Sequence, residues 1–314
     1  MRVLIQRALG ARFKIPPLLW MGASYTHASR YPTSIWQLMM PQSRNGKPGA
    51  HATAERLATR GWNVYATARK PESIADLAAR GCKTLALDVC DDASMRAAVQ
   101  TVERAEGAVG VLINNAGYGL EGAFEEVPMT DIRHQFETNV FGLIAMTKLV
   151  LPAMRRQRWG RVVNLSSMGG KLTFPGGAYY HATKHAVEAL SDALRFEVKG
   201  FGINVIVIEP GPIKTRFGDT AVSNIAMPKD SPYAAFNVVL EKQIREAYEG
   251  GPMARFAAPP DAVADVIAKA ITAASPKTRY KVTLAARVLM GLRRILPDRA
   301  FDAFLRTQFP PPAP

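Results

Sequence analysis

The chain has 314 residues, with 40 Lys+Arg against 26 Asp+Glu and a formal net charge of +14. A composition of 48% hydrophobic and 21% charged residues excludes wholesale disorder, and there is no run of about 18 apolar residues to span a bilayer. The charge divides as +7 over residues 1–54, which hold no acid, +1 over 55–275 and +6 over 276–314, which argues against a dedicated nucleic-acid face.

Residues 1–50 carry Pro16, Pro17, Pro32, Pro41 and Pro48 and show no convincing strand, including at 36–41 (WQLMMP). Their basic, acid-free composition is that of a transit peptide or of an extension foreign to the fold. Orderly patterning begins at Thr53. Residues 53–60 read as a helix closed by Gly61, and 62–67 as a strand. Residues 71–80 read as a helix with Pro71 at its start and Gly81 after it. A strand over 83–89, a helix over 91–106 and a strand over 109–114 follow. Residues 128–158 are helical, 161–165 a strand, 176–199 a helix and 203–209 a nearly continuous apolar strand. This alternation predicts an α/β fold, a Rossmann-like doubly wound parallel sheet covered by helices on both faces. Cys82 and Cys90 cannot staple a chain of this length, so a reducing, cytoplasmic compartment is expected.

Three features carry chemistry. Asn114-Asn115-Ala116-Gly117 follows a buried strand, Ser166-Ser167 follows the next, and Tyr180 stands four residues before Lys184 at the front of a helix, on the same face. An isolated tyrosine, with a pKa of about 10, is a poor acid–base catalyst near neutrality. A nearby lysine cation favours its phenolate, so Tyr180 can exchange a proton with a carbonyl or alcohol oxygen that Ser167 holds. The hydride has to come from a nicotinamide. His181 and His185 have the spacing of a zinc pair but no acidic third ligand nearby, and no metal is expected.

This ordered set, followed by Pro210-Gly211, resembles the short-chain dehydrogenase/reductase family over residues 52–275, with text such as VYATAR and NNAGYG similar to its steroid- and retinol-active branch. The resemblance implies catalytic roles for Ser167, Tyr180 and Lys184, with Asn139 completing a proton relay. It implies adenine contacts at Asp88 and Val89 and further cofactor contacts at Asn114, Ala116, Gly117, Tyr180 and Lys184. Pro210, Gly211, Ile213 and Thr215 should flank the nicotinamide. The position that is acidic in NAD-preferring members is Ala68 here, followed by Arg69 and Lys70. Arg69 can pair with a 2′-phosphate, so NADP(H) is favoured over NAD(H).

One departure matters. The family's first strand and glycine-rich phosphate turn are atypical or absent here. In the corresponding window, 43–50, Ser43, Arg44, Pro48 and Ala50 replace the motif's Thr and three Gly. The expected organisation is an atypical basic extension (1–51), a catalytic domain (52–275) and a basic amphipathic segment (276–314). Residues 216–260 form an irregular, apolar stretch, implying a small lipophilic alcohol or carbonyl substrate. The pattern over 284–308, broken at Pro297, suits either peripheral contact with an anionic membrane surface or a helix pair over the active-site mouth. A homodimer or homotetramer is expected, and no nucleic-acid partner. The competing function is a non-catalytic scaffold that has lost cofactor binding.

Overall fold

The computed structural model describes residues 34–38, 49–215, 217–223, 225, 230–250 and 255–309. Among the described residues, seven parallel strands form the sheet: β1 (Ser34–Leu38), β2 (Asn63–Ala68), β3 (Lys83–Ala86), β4 (Val111–Asn114), β5 (Gly160–Leu165), β6 (Ile203–Glu209) and β7 (Arg279–Lys281). Their spatial order is β3-β2-β1-β4-β5-β6-β7. The doubly wound α/β reading therefore holds.

The absence of a strand around residues 36–41 does not hold. β1 pairs with β2 from Ser34↔Asn63 to Leu38↔Thr67 and with β4 from Ile35↔Val111 to Gln37↔Ile113. The pattern SIWQL is too short and mixed to announce a buried strand. Its position is set by the two neighbours, whose facing edges would otherwise leave unpaired N–H and C=O groups. The window 43–48, where the phosphate turn would fall, lies outside the described residues, as do 1–33, Met227, Pro228 and Met253.

Helices cover both faces. On one lie α1 (Gly49–Ala58) and α8 (Pro260–Thr272), whose Ala54, Leu57, Val263, Ile267 and Ile271 pack on Val64, Ile113 and Ile206 of the sheet. Arg56 ties the two helices by bonding Asp261 at 2.8 Å and pairing with Asp265. α1 begins four residues before the expected position, at Gly49. The other face carries α2 (Asp92–Glu106), α4 (Gly142–Arg156) and α5 (Ala178–Val198), with Val99, Met146, Met154 and Val198 against Leu112 and Val162. Burial of these apolar side chains supplies the main driving force, about 25 cal/mol per Å². The segment Pro71–Arg80 is a kinked 3₁₀ helix, ended as expected by Gly81 in the left-handed region (φ 85°).

The long helical stretch is α3 (Met129–Phe136) running into α4 through a π turn over Glu137–Phe141, so Asn139 sits in a widened turn. Residues 216–260 are not the irregular stretch expected. They include α6 (Phe217–Ser223), α7 (Ala234–Arg245) and a π turn over Glu246–Gly250. Asn237 of α7 donates to Glu126 Oε2 at 2.8 Å, anchoring α7 to the loop that follows β4. At the end of the chain, α9 (Leu284–Ile295) and α10 (Asp298–Arg306) flank Pro297, as the pattern predicted. Ala286, Met290 and Phe301 pack on Leu172 in a small separate core. Among the described residues, no helix is long and apolar enough to cross a membrane.

Candidate active site

All seven strands point the same way, so the loops after β2, β4, β5 and β6 gather at one edge. The order reverses between β1 and β4, and ligands of open α/β sheets sit outside the carboxyl ends at such a switch point. A cleft opens there. It is lined by Asn115 and Gly117 after β4, Leu165, Ser166 and Ser167 at the end of β5, Tyr180 and Lys184 on α5, and Pro210, Gly211, Ile213 and Thr215 after β6. Gly49, Ala50, Phe217, Tyr248 and Val263 complete it. Ser167, at the end of β5, and Tyr180 and Lys184, on the first turns of α5, thus meet in one place.

Each is held by local structure. Ser167 caps the short 3₁₀ turn Met168–Gly170, its Oγ accepting from Gly169 N–H at 3.1 Å. Tyr180 stacks at an angle against Phe217, ring centres 5.3 Å apart. Lys184 Nζ donates to Leu165 C=O at 2.8 Å and lies 5.8 Å from the centre of the Tyr180 ring. Asn139 is buried in the π turn. Its Oδ1 accepts from Tyr118 N–H (3.1 Å), and its Nδ2 donates to Tyr118 C=O (3.0 Å) and Thr183 Oγ1 (3.1 Å). That amide clamps the loop after β4 to α5.

The electrostatics differ from the sequence expectation. Burial pushes the Tyr180 hydroxyl well above its ordinary value, and a hydrogen bond with Ser167 offsets only part of this. Burial also pushes Lys184 down to about 8, with Glu188 countering. For Tyr180 burial therefore outweighs the groups around it, and the hydroxyl stays above its ordinary value.

The other expected residues divide. Asn114 is buried and does not line the cleft: its Nδ2 donates to Asn164 Oδ1 (2.9 Å) and Thr147 Oγ1 (3.1 Å), joining β4 to β5 and α4. Ala116 packs with the apolar core on the α2/α4 face. Asp88 Oδ1 accepts from Cys90 N–H at 3.0 Å, and Val89 is buried where a side chain at Gly142 would collide with it. Arg69 is exposed just past β2, at the carboxyl edge of the sheet. His181 is buried, with Nδ1 3.1 Å from Gly169 C=O, and burial lowers it to about 4.

Sequence reasoning passed over Tyr248 and Glu121, and gave Ser166 no role of its own. Ser166 Oγ is buried and has no hydrogen-bond partner among the described residues. Glu121 is a single acid in the apolar text Tyr118-Gly119-Leu120-Glu121-Gly122. An acid placed between residues that become buried was the available signal. It is 9% exposed, and burial pushes it up to about 8. A carboxyl that stays protonated in the fold while the unfolded chain ionises costs stability as pH rises. The unfolding free energy of the wild type should therefore fall relative to Glu121→Gln between pH 5 and pH 8, on the order of 3 kcal/mol. Urea unfolding at the two pH values measures this, and a pH-independent difference contradicts it.

The residues present fit a nicotinamide. A Cβ at Gly117 would stand 3.0 Å from Asn139 Oδ1 and 3.7 Å from Lys184 Nζ, so bare backbone faces the cleft there. The Ser166 hydroxyl lacks a partner among the described residues, and Tyr180 supplies a proton-exchanging group. Fold and site together define a dinucleotide-dependent oxidoreductase.

Comparison with known proteins gives the family. Residues 49–225 match the family model described as short chain dehydrogenase. The chain is 35% identical over 255 residues to the uncharacterized oxidoreductase YbbO of Escherichia coli strain K12, covering 81% of this chain and 88% of that one. It is 35% identical over 260 residues to a 3-ketodihydrosphingosine reductase of Bacteroides thetaiotaomicron (81% and 91% covered). It is 34% identical over 260 residues to an NADPH-dependent 3-dehydrocapnine reductase of Ornithobacterium rhinotracheale (80% and 90%). The crystal structure of a short-chain dehydrogenase from Streptomyces avermitilis superposes with a TM-score of 0.71 at 32% identity, covering 87% of this chain and 96% of that one. The protein belongs to the short-chain dehydrogenase/reductase family of NAD(P)-dependent oxidoreductases.

Proposed function

We propose that this protein interconverts a lipophilic alcohol and its ketone or aldehyde using NADP(H). The observation that carries the reading is the meeting of Ser167, Tyr180 and Lys184 at the sheet's switch point, beside the bare backbone of Gly117. A bound nicotinamide supplies or accepts the hydride at the substrate carbon. Ser167 Oγ holds the substrate oxygen, and the Tyr180 hydroxyl donates its proton to that oxygen in reduction and takes it back in oxidation. Lys184 places a donor beside the Tyr180 ring, and Asn139 positions α5 through Thr183. Pro210, Gly211, Ile213 and Thr215 flank the nicotinamide, and Asp88 and Val89 take the adenine.

Phe217 and Tyr248 give the substrate end its apolar walls, which supports a lipophilic substrate. The names of the 3-ketodihydrosphingosine reductase and the 3-dehydrocapnine reductase support the same class of reaction, and the second supports NADPH. Two free cysteines, with Cys90 exposed, suit a reducing cytoplasm. Exposed Phe141 and Phe196 favour assembly with further copies of the chain. The exposed stripe Leu284, Val288 and Ile295 of α9, beside Arg287 and Arg294, favours peripheral contact with an anionic membrane.

Cofactor choice tests the reading at Arg69. A carboxylate there repels a 2′-phosphate and suits ribose hydroxyls. Arg69→Glu should lower kcat/KM for NADPH about 10-fold or more without lowering that for NADH. Steady-state rates with both cofactors measure this, and an unchanged preference refutes the assignment.

A further inference from the structure

One turn beyond Lys184 on α5 lies Glu188, a carboxylate with no part in the proton transfer. It is 3% exposed and does not line the cleft, yet it holds two cations. Lys171 Nζ lies 2.9 Å from its Oε2, and Arg279 approaches the same oxygen with Nε and a terminal nitrogen, both at 2.9 Å. Lys171 is the residue that ends the turn capped by Ser167, and Arg279 opens β7. Arg279 also pairs with Asp192, one further turn along α5, at 2.8 Å. Its Nε stands 3.4 Å from Glu209 Oε1 at the end of β6. One buried carboxylate thus joins the turn after β5, the catalytic helix and β7.

The join lies against the reacting groups. A Cβ built on Gly170 would stand 2.6 Å from Ser166 Oγ, 2.9 Å from Glu188 Cγ and 3.0 Å from Lys184 C=O. The backbone of the Ser167 turn therefore rests directly on α5, beside Lys184 and Glu188, and only glycine leaves it there. From β6 the turn is held by Met168 N–H donating to Pro210 C=O at 2.8 Å. Charge runs through the same contact. A cation 5.8 Å from the Tyr180 ring favours the phenolate left when the hydroxyl gives up its proton. Burial opposes the Lys184 cation, and the Glu188 carboxylate counters burial. The charged and titratable groups facing Glu188 are Lys171 from the turn, Lys184 and Asp192 on α5, Glu209 from β6 and Arg279 from β7. Burial raises Glu209 to about 7, so it titrates in the same range as Lys184 and needs its own control.

We propose that Glu188 is a positioning residue of the reaction: clamped by Lys171 and Arg279, it seats the Ser167 turn on α5 and sets a buried negative charge one turn from Lys184. This deepens the proposed function and rests on it for the roles of Ser167 and Lys184. The two contributions separate by variant. Glu188→Gln removes the charge. Lys171→Met, at a half-exposed position, loosens the turn and leaves the charge in place.

The first readout needs no turnover. In the full chain labelled with [ε-¹³C]lysine, the Lys184 signal is assigned by its loss in Lys184→Met and followed by NMR against pH. It should titrate at about pH 8 in the wild type and about one pH unit lower in Glu188→Gln. Glu209→Gln and Glu188→Asp, which keeps the charge should Glu188→Gln fail to fold, should leave it within about 0.3 pH unit. The second readout is reduction of a medium-chain ketone with NADPH. Glu188→Gln should move the alkaline fall of kcat down by the same interval and lower kcat at pH 7 about 10-fold, with KM within about 3-fold. Lys171→Met should lower kcat about 3-fold or more without lowering the Lys184 titration. A Lys184 titration unmoved in Glu188→Gln, or moved equally in Glu209→Gln, overturns the proposal. So does a kcat unchanged in both Glu188→Gln and Lys171→Met. A titration that moves as expected in a protein that reduces no ketone refutes the redox reading and leaves Glu188 as the group that holds the Lys184 charge.

Discussion

Tyr180→Phe should lower kcat/KM by about 10³-fold, within the range that general acid–base catalysis contributes, while leaving the cofactor dissociation constant within about 3-fold. The phenyl ring retains the packing that fixes this part of α5, with Phe217 at 5.3 Å and His181 at 5.6 Å. Only the proton-exchanging hydroxyl and its bond with Ser167 are lost. Because burial holds that hydroxyl well above its ordinary pKa, it is a proton donor throughout the neutral range. Reduction should therefore be sustained at neutral pH, and oxidation, which needs the phenolate, should rise with pH. Steady-state kinetics in both directions and a fluorescence titration of cofactor measure these effects. A variant with near wild-type turnover refutes the assignment of Tyr180.

The second large effect concerns the segment before α1. In this fold a glycine turn lets the backbone approach the pyrophosphate at a helix N-terminus. Here Pro48 and Ala50 occupy glycine positions, although Gly49 and Ala50 at the start of α1 still line the cleft. The chain should accordingly bind NADP(H) weakly. Replacing residues 1–51 with a regular strand and glycine-rich turn should tighten binding about 100-fold, equivalent to ~2.7 kcal/mol. Fluorescence titration of both chains measures this. A micromolar dissociation constant for the chain as it stands contradicts the expectation. Failure of the replacement to bind cofactor supports the competing reading of a non-catalytic scaffold.

The parts of the fold and site legible in the sequence were those set by local pattern. The apolar runs of β4 and β6, the caps at Gly61 and Gly81 and the break at Pro297 each declare themselves over a few residues, and their elements lie close to where the pattern put them. Ser167, Tyr180 and Lys184 were legible because their chemistry is recognisable and their order is fixed by the strand and helix that carry them. β1 was hidden because five residues of mixed character become a strand only through two neighbours that are 25 residues or more away in sequence, at Asn63 and Val111. The role of Asn114 in joining strands could not be read, since its partners Asn164 and Thr147 are set by tertiary contact. For Glu121 the apolar text around it was a signal, but its burial comes from the packing of the loop after β4 against the head of α5, which local pattern does not fix.

The central claim is that hydride passes to a substrate carbon held at Ser167 and Tyr180. Reduction of a medium-chain ketone panel with NADPH deuterated at the nicotinamide C4, followed by mass spectrometry of the alcohol, tests it most directly. The account predicts one deuterium on the carbinol carbon from one of the two C4-labelled forms, formed by the wild type or its strand-and-turn replacement and lost in Tyr180→Phe. Cofactor-bound protein that transfers no deuterium to any ketone, or transfer that persists undiminished in Tyr180→Phe, would contradict it.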